Sequence, residues 1–513
     1  MMAANLGRLL TQTARRLPDA PGLIWRDRVW AWAEVDTRVD RLTQVLRENG
    51  VTPGDRVLVH SRNSAAMFES LWACFKLGAI WVPTNFRLTP SEVAILATDS
   101  RPVAMIRDQG FAAHADAVPS ARCILAVGDA RAHERDYEAA LAAVTPPPPD
   151  HEAPVSADTP CWFFFTSGTT GRPKAAVLTH GQMGFVVTNH LADLMPGLTE
   201  HGASLVIAPL SHGAGIHALA NVARGAPSIL LPGEALDVPI AWGLIAQHRV
   251  TNMFTVPTIL MALCDGAPAD ADASSLRHVI YAGAPMYRAD QDRARKLMGH
   301  AMTQYFGLGE VTGNITVLRP DQHDLAPGSC GMARTGMEIG ILDATGARLP
   351  PETTGEICVR GPAVFAGYFE NPEASQKAFT GGWFHTGDIG YLDARGFLFI
   401  TGRASDMFIS GGSNVYPREI EEAILLHPAI AECAVVGIPH PKWGEVGVAC
   451  LVARAPVGEA EIRAHLQARL ARYKHPQVFV FWDSLPKSGY GKVPKSLLKQ
   501  RLAEEGVTPP PPA

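Results

Sequence analysis

A segment of small hydroxyl residues, glycines and one lysine is the part of the chain best suited to chemistry. It reads Phe163-Phe-Phe-Thr-Ser-Gly-Thr-Thr-Gly-Arg-Pro-Lys174, in which an apolar run leads into the loop. Glycines let backbone N–H groups approach an oxyanion, hydroxyl groups add donors, and lysine supplies a positive charge. The pattern differs from the GxxxxGK[ST] loop, since a proline precedes the lysine. The composition favours a phosphate-binding loop, and a solvated turn between two strands is the alternative.

Further along the chain, a carboxylate and an aromatic ring occur in one glycine-rich segment, Tyr305-Phe-Gly-Leu-Gly-Glu310. A carboxylate in such a turn can bind a hard cation that also contacts phosphate oxygens. Phe306 offers a flat face on which an adenine ring could stack. Taken alone, Glu310 is more typical of a solvated turn and Phe306 of a core.

Several other polar residues could serve a nucleotide or an acid. Asp388 can accept hydrogen bonds from both hydroxyls of a ribose, and Arg403 can donate to the same sugar. His212 and His217 are five residues apart, and taken alone such a pair is more typical of a structural or surface position than of a metal site. Lys492 lies in a glycine-bracketed turn, where a lysine is usually a solvated charge.

Seven segments of the chain resemble the adenylate-forming acyl-CoA synthetase superfamily. Thr166–Lys174 and the AAVLTH that follows resemble the family's phosphate loop. The others follow in the family's order: Pro209-Leu-Ser-His212, Tyr281-Ala-Gly-Ala-Pro-Met286, Tyr305-Phe-Gly-Leu-Gly-Glu310, His385-Thr-Gly-Asp388, Gly402-Arg403 and Gly491-Lys492. Because the seven are co-linear over nearly the whole chain, the sequence is identified as a member of this superfamily, of the fatty-acid or aryl-acid CoA ligase type.

The resemblance implies a role for each segment. Lys492 would stabilise the transition state of adenylation, Glu310 would bind the magnesium of Mg-ATP, and His212 would orient the acyl carboxylate. The implied ATP-binding residues are Thr166, Ser167, Gly168, Thr169, Thr170, Gly171, Lys174, Gly283, Ala284, Pro285, Tyr305, Phe306, Gly307, Asp388 and Arg403. The implied acyl pocket consists of His212, Gly213, Ala214, His217, Gly283 and Gly309.

The resemblance also implies two domains that move. An adenylation domain would span 1–403, and a mobile C-terminal domain over 404–513 would carry Lys492. After adenylation, rotation about a hinge at Ser405 would replace the lysine with a loop that lines a tunnel for the pantetheine of coenzyme A. The residues of that loop would be Ser410, Gly411 and Gly412.

Three positions depart from the family's usual pattern. Gly309 replaces a threonine before the glutamate, Ser405 replaces an aspartate or lysine at the hinge, and Ser413 replaces a glutamate after the double glycine. Losing the threonine hydroxyl removes a hydrogen bond to phosphate, worth roughly 1.5–3 kcal/mol. Gly309 could instead enlarge the acyl pocket.

Alternating strand and helix patterns must position these segments. Helical periodicity over 38–49 is followed by a strand-like run at 56–60, and a helical pattern over 68–77 is followed by a run at 79–82. Such alternation favours a largely parallel α/β sheet. The resemblance adds αβαβα-layered sheets and a β-barrel-like subdomain to this large N-terminal domain.

The C-terminal part changes pattern near Gly402. Short strands are predicted before it, and after it the chain alternates helices with strands over about 110 residues, which suffices for a small α+β domain. The predicted strands are 355–360, 382–385, 396–400, 431–437, 446–452 and 478–482, and the predicted helices are 417–426 and 459–473.

Composition excludes several functional classes. The net charge is -5 without a long basic run, so nothing indicates a nucleic-acid partner. No stretch approaches the roughly 18–20 apolar residues that a membrane span needs. The eight cysteines have no metal-like spacing and are typical of a reduced, cytoplasmic enzyme. The expected partners are a carboxylic acid, ATP and coenzyme A, with a homodimer left open.

The acid itself and two alternative functions stay open in the sequence. Small residues in Gly213-Ala-Gly-Ile-His-Ala218, with no lysine or arginine among them, favour an apolar monocarboxylic acid, aromatic or aliphatic, over malonate-like acids. The chain could instead load an acyl carrier protein. It could also be a binding homologue whose catalysis is impaired through Gly309.

Overall fold

The structure is a computed structural model that describes residues 5–167, 173–284, 286–487 and 493–509, with only the backbone at Ser167. Its α-helices are α1 Arg8–Arg16, α2 Trp32–Glu48, α3 Ala65–Leu77, α4 Pro90–Ser100, α5 Ala112–Asp116, α6 Tyr137–Ala143, α7 His180–Asn189, α8 Gly213–Arg224, α9 Val238–His248, α10 Pro257–Asp265, α11 Arg288–Met298, α12 Pro372–Ala378, α13 Pro417–Leu425, α14 Glu459–Gln467 and α15 Lys495–Glu504. A π-helical turn spans His190–Leu194, and 3-10 turns span Gly309–Val311, Pro320–Gln322 and Arg472–Lys474.

The strands fall into four sheets among the described residues. They are β1 Pro21–Trp25, β2 Arg28–Ala31, β3 Arg56–His60, β4 Ile80–Pro83, β5 Ala104–Arg107, β6 Cys123–Ala126, β7 Arg135–Asp136, β8 Pro160–Ser167, β9 Pro173–Thr179, β10 Ser204–Val206, β11 Ser228–Leu230, β12 Asn252–Thr255, β13 His278–Tyr281, β14 Met302–Phe306, β15 Thr316–Leu318, β16 Met332–Ala333, β17 Glu338–Leu342, β18 Gly355–Arg360, β19 Phe379–Thr380, β20 Trp383–Leu392, β21 Leu398–Arg403, β22 Phe408–Ser410, β23 Ser413–Val415, β24 Ile430–His440, β25 Gly444–Ala453 and β26 Val478–Phe481.

Two large sheets share one apolar core. The first has the order β16-β15-β14-β13-β12-β10-β11-β1-β2, and the second has the order β7-β6-β5-β3-β4-β8-β9. Their inner strands are parallel and almost fully buried, as expected for sheets covered on both faces. Trp162 of the second sheet and Phe254 of the first belong to the same core cluster. The two sheets therefore pack against each other through this cluster.

Two smaller sheets complete the fold. An antiparallel sheet contains β17 to β21, and the C-terminal sheet has the order β23-β22-β25-β24 with β26 parallel to β25. The C-terminal sheet carries a separate apolar cluster on each face. The predicted mixed α/β fold, with a large N-terminal domain and a smaller C-terminal one, is confirmed.

Most predicted elements are present, and one helix is shorter than predicted. The strands at 56–60 and 355–360 have the predicted bounds, whereas α14 ends at Gln467 rather than at residue 473. The chain leaves the helical path at Ala471, whose backbone is extended, with φ of -62° and ψ of 143°. Leu470 packs against the C-terminal core, as Leu466 does one turn earlier, and the 3-10 turn Arg472–Lys474 follows the extended residue.

Tyr287 connects the large N-terminal part of the molecule to the smaller C-terminal part. Tyr287, just before α11, packs against the apolar cluster of the C-terminal sheet. Its hydroxyl donates to Glu421 Oε2 of α13 at 3.2 Å.

Within the described ranges, no helix combines the length and the apolar character that a membrane span requires.

Candidate active site

The two flanks of the predicted phosphate loop form an antiparallel strand pair. Thr166 at the end of β8 lies opposite Lys174 at the start of β9. The aromatic run of β8 anchors this pair, since Phe163 is fully buried in an apolar cluster with Ile80 and Val82 of the same sheet. Of the predicted ATP-binding residues, Gly168, Thr169, Thr170 and Gly171 lie outside the described residues, as does the side chain of Ser167.

Glu310 meets this strand pair through two hydrogen bonds. It lies in the 3-10 turn Gly309–Val311 and is 6% exposed. Its Oε1 accepts from Thr166 Oγ1 at 2.8 Å and from the Tyr368 hydroxyl at 3.0 Å. The structure thus brings together a predicted phosphate-loop residue and the predicted magnesium ligand.

Tyr368 was not predicted from the sequence. Its ring lies under Lys174, whose Nζ is 5.3 Å from the ring centroid. Burial and the Glu310 carboxylate raise the pKa of the Tyr368 hydroxyl, which therefore stays a neutral donor. In the sequence, the only local signal at this residue is a glycine before the tyrosine, Gly367-Tyr368. That signal does not indicate which residues the tyrosine contacts.

Phe164 occupies the space that a side chain at position 309 would need. A Cβ on Gly309 would lie 2.6 Å from Phe164 Cδ1 and 2.8 Å from Thr166 Cγ2. The Phe164 ring packs edge-on against His212, with centroids 5.4 Å apart. Gly309 therefore does not enlarge a pocket at this point, because Phe164 fills the space.

Tyr305 and Phe306 point to opposite faces of β14, as successive residues of a strand do. Tyr305 is 8% exposed and stacks on Phe254 with centroids 5.8 Å apart. Phe306 is only partly buried. Directly after it, a Cβ on Gly307 would lie 2.4 Å from the Gly313 Cα, so the loop closes tightly on itself.

The predicted acyl pocket has an aromatic wall. A Cβ on Gly213 would lie 2.5 Å from Phe254 Cζ, so the helix α8 begins directly against that ring. Ala214 is buried beside it. One turn later His217 is buried, and its Nε2 is bonded to Asn252 Oδ1 at 2.8 Å. Burial lowers the pKa of His217 to about 4, which keeps it neutral.

The small residues after β13 form a turn near this wall. Gly283 has φ of 83°, a conformation that favours glycine, and a Cβ there would lie 3.6 Å from Val256 Cγ1. Gly283 is exposed and Ala284 is half-buried. Pro285 lies outside the described residues.

The predicted ribose pair is assembled across two strands. Asp388 of β20 lies opposite Arg403 of β21, and Arg403 Nε donates to Asp388 Oδ1 at 2.9 Å. Glu356, which was not predicted, supports the turn before Asp388. Its Oε1 accepts from the Gly387 N–H at 3.1 Å, and its Oε2 is bonded to His385 Nδ1 at 2.8 Å.

The predicted tunnel glycines form the turn of a β-hairpin. Ser410 pairs with Ser413, and between them Gly411 and Gly412 have φ of 57° and 80°. Two central residues with positive φ define a type I′ turn, which favours glycine for its own sake. The Gly411 N–H also donates to the Trp443 carbonyl at 2.9 Å.

Two predicted positions remain, Ser405 and Lys492. Ser405 occupies an exposed turn between β21 and β22, and its Oγ donates to Asp406 Oδ1 at 3.3 Å. Lys492 lies outside the described residues, together with 488–491. Its position relative to Glu310 therefore stays a prediction.

Two family models match most of the chain. The AMP-binding enzyme family matches residues 10–369, and the AMP-binding enzyme C-terminal domain matches residues 419–492. The first match contains Glu310, and the second ends at Lys492, the lysine predicted to act in adenylation.

Named relatives cover nearly the full length of the chain. A feruloyl-CoA synthase from Amycolatopsis sp is 36% identical over 98% of this chain and 100% of its own length. A 2-succinylbenzoate–CoA ligase from Bacillus velezensis is 34% identical over 96% and 97%. Among solved structures, O-succinylbenzoate coenzyme A synthetase from Bacillus subtilis in complex with ATP and magnesium ion superposes with a TM-score of 0.85, at 31% identity over 96% and 99%. The chain therefore belongs to the AMP-binding enzyme family and is an AMP-forming carboxylic acid–CoA ligase that uses ATP, Mg²⁺ and coenzyme A.

Proposed function

We propose that the residues around Glu310 form the adenylation centre of this ligase. Thr166, Lys174 and the loop 167–171 would hold the phosphates of ATP, and Asp388 with Arg403 would hold its ribose. The observation that carries this proposal is the hydrogen bond of 2.8 Å between Thr166 and Glu310, which joins the phosphate loop to the carboxylate. Phe306 would stack on the adenine.

The surroundings of Glu310 fit a magnesium ion. Both hydrogen bonds to the buried carboxylate end on Oε1, so Oε2 has no partner among the described residues. Carboxylate oxygens, together with phosphate oxygens, are the ligands that Mg²⁺ prefers. A bound ion would neutralise charge on the phosphate oxygens.

The reaction then proceeds in two displacements. A carboxylate oxygen of the acid forms a bond to the α-phosphorus while the bond to pyrophosphate breaks, which gives an acyl adenylate. The thiolate of coenzyme A next attacks the acyl carbon, and the bond to AMP breaks. Lys492 would stabilise the first transition state and His212 would orient the carboxylate. Positioning and charge neutralisation suffice, without a nucleophile from the protein.

An aromatic acid fits the wall of the proposed acyl pocket. Phe254 stacks on Tyr305 and touches the start of α8 at Gly213, and aromatic rings favour offset or edge-on contact with another ring. The feruloyl-CoA synthase from Amycolatopsis sp is named for an aromatic acid. His217 and Ala214 would line the same pocket, together with Gly283 and Gly309.

Movement of the part that follows Arg403 would separate the two half-reactions. The proposed units are 1–403 and 404–513. Ser405 lies in an exposed turn, which is a suitable place for a hinge. After rotation, Ser410, Gly411 and Gly412 would line the passage for the pantetheine chain.

A cytoplasmic location and a homodimer belong to the same proposal. All eight cysteines are free, and seven of them are buried, as is usual for a protein of a reducing compartment. Sedimentation of the purified chain measures its oligomeric state, and fractionation of its source cells measures the location.

Pyrophosphate exchange with a panel of acids tests the proposed substrate class. We expect aromatic acids to stimulate exchange at least tenfold more than linear aliphatic acids or malonate. Phe254→Leu should reduce that preference about two- to tenfold, since an aromatic contact contributes about 0.5–1.5 kcal/mol. Tyr473→Leu, at an exposed ring, is the matched control. A stronger response to aliphatic acids would contradict the aromatic assignment.

A further inference from the structure

A buried arginine lies behind the aromatic wall of the proposed acyl pocket. Arg334 follows β16, and its side chain is 0% exposed. Its Nη1 is 3.5 Å from the Gly313 carbonyl and its Nη2 is 3.3 Å from His190 Nδ1, while Nε has no partner among the described residues. Both contacts are long for a charged donor.

The carboxylate nearest to Arg334 compensates this charge poorly. Asp193 Oδ2 is 3.8 Å from Arg334 Nε. Its two oxygens already accept from the N–H and the hydroxyl of Thr335, each at 2.8 Å. Burial lowers the pKa of Arg334 to about 10, so the guanidinium stays charged at neutral pH. A buried charge without a close counter-ion is costly unless a ligand pairs with it.

Neighbouring polar groups also lack protein partners. Asn314 lies between the two residues that Arg334 contacts through backbone atoms, Gly313 and Ile315. It is 0% exposed, and neither side-chain atom has a partner among the described residues. His217 Nδ1 is in the same situation. Because native proteins seldom leave such atoms unpaired, the unpaired atoms of Arg334, Asn314 and His217 are available to a polar ligand.

The arginine is connected to the acyl pocket through two contacts. The ring of Tyr305 packs on Gly313, where a Cβ would lie 2.4 Å from Tyr305 Cε2. His190 Nδ1 lies 3.3 Å from Arg334 Nη2, and burial, Arg334 and His217 together lower the pKa of His190 well below its usual value. His217 follows Gly213 by one helical turn, about 6 Å along α8. His212, the predicted carboxylate-orienting residue, precedes α8, whereas Arg334 reaches the aromatic wall through Gly313 and Tyr305.

We propose that Arg334 binds an oxygen acceptor on the far end of the acid, remote from the reacting carboxylate. This proposal rests on the aromatic substrate proposed above. The acceptor is a second carboxylate or a phenolic oxygen, and Asn314 and His217 complete its hydrogen bonds. The stretch 213–218 contains no cation, but the fold supplies one from a segment more than a hundred residues later. The distal group would then set substrate choice without entering the reaction.

Four para-substituted phenylpropenoic acids test this assignment by pyrophosphate exchange. The substituents are hydrogen, methyl, hydroxyl and carboxylate, of which methyl matches hydroxyl in size. In the natural chain, we expect hydroxyl or carboxylate to exceed methyl in kcat/KM by about ten- to a hundredfold, the range for a hydrogen bond to a charged group. Whichever of the two is preferred identifies the oxygen.

Substitution of the arginine supplies the second arm. Arg334→Met should remove the preference while keeping exchange with the methyl and unsubstituted acids. Arg348→Met, at an exposed arginine, should leave the preference unchanged. If Arg334→Met fails to fold, the natural chain alone decides through its methyl-to-oxygen ratio. Equal use of methyl and oxygen acids, or an equal loss with all four in Arg334→Met, would overturn this role. Absence of exchange with every acid would instead refute the proposed aromatic substrate.

Discussion

At the scale of single residues, Gly309 shows how neighbouring side chains can fill the space of a missing one. The family pattern places a threonine there, and the lost hydroxyl suggested weaker ATP binding. In the structure, Phe164 and Thr166 lie where a Cβ at 309 would be. The glycine is therefore part of the packing between β8 and the turn that carries Glu310.

We predict that Gly309→Ala destabilises the protein, although alanine has only one more carbon. Overpacking of this kind costs about 1–3 kcal/mol, and thermal unfolding measures it. Phe164→Leu in the same chain should recover part of the loss. Gly243→Ala is the matched control, since a Cβ at this helical glycine meets nothing within 4 Å. An unchanged melting temperature for Gly309→Ala would show that the site is looser than described.

For the carboxylate, we predict that Glu310→Gln lowers the rate of adenylation about a hundredfold, equivalent to about 2.7 kcal/mol. The amide removes the charge that would hold magnesium while it keeps the shape. Tyr368→Phe removes only one donor to Glu310 and should cost about tenfold. Pyrophosphate exchange over a magnesium titration measures both. Equal effects of the two substitutions would argue against a metal at Glu310.

The types of the reacting residues could be predicted from the sequence, but many of their partners could not. Asp388 and Arg403 were predicted as a pair, and the register of β20 and β21 brings them together. Tyr368 and Glu356 were missed because their contacts join segments far apart in the chain. Such contacts depend on how the sheets pack, which residue type and local spacing do not determine.

At the scale of elements, the hairpin from β22 to β23 has two explanations for its glycines. Gly412 has φ of 80°, and a Cβ there would meet nothing within 4 Å. The type I′ turn alone therefore accounts for this glycine. The second explanation is that small residues here leave space for the pantetheine chain of coenzyme A.

We predict that Gly412→Ala destabilises the fold by about 1–2 kcal/mol, because an L-residue with a Cβ is strained at positive φ. Gly412→Asn should be tolerated better, since asparagine adopts this conformation more readily. Thioester formation from a supplied acyl adenylate separates the two explanations. If space for pantetheine matters, both substitutions slow that step; if only the turn matters, Gly412→Asn leaves it unchanged.

The hydrophobic pattern predicted strand bounds well where a short apolar stretch lies between turn residues. Residues 56–60 and 355–360 are short apolar runs between turns, and both strands have the predicted bounds. The end of α14 was wrong because neither glycine nor proline marks it. The helix ends where the backbone of Ala471 becomes extended, a change that an alanine does not signal in the sequence.

At the scale of the whole molecule, the account requires two half-reactions at one centre. We predict that Lys492→Ala abolishes adenylation and largely spares thioester formation from a supplied acyl adenylate, since the lysine would stabilise only the first transition state. Lys499→Ala, at an exposed lysine of α15, is the matched control. Comparable loss in both half-reactions would contradict the role assigned to Lys492.

Transfer of labelled oxygen tests the central claim most directly. The acid is supplied with ¹⁸O at both carboxylate positions, together with ATP, Mg²⁺ and coenzyme A. Mass spectrometry then measures the ¹⁸O content of each product. Attack of the carboxylate on the α-phosphorus predicts one ¹⁸O in AMP for each acyl-CoA formed, and none in pyrophosphate. Unlabelled AMP, or ADP with labelled phosphate, would contradict an acyl adenylate as the intermediate.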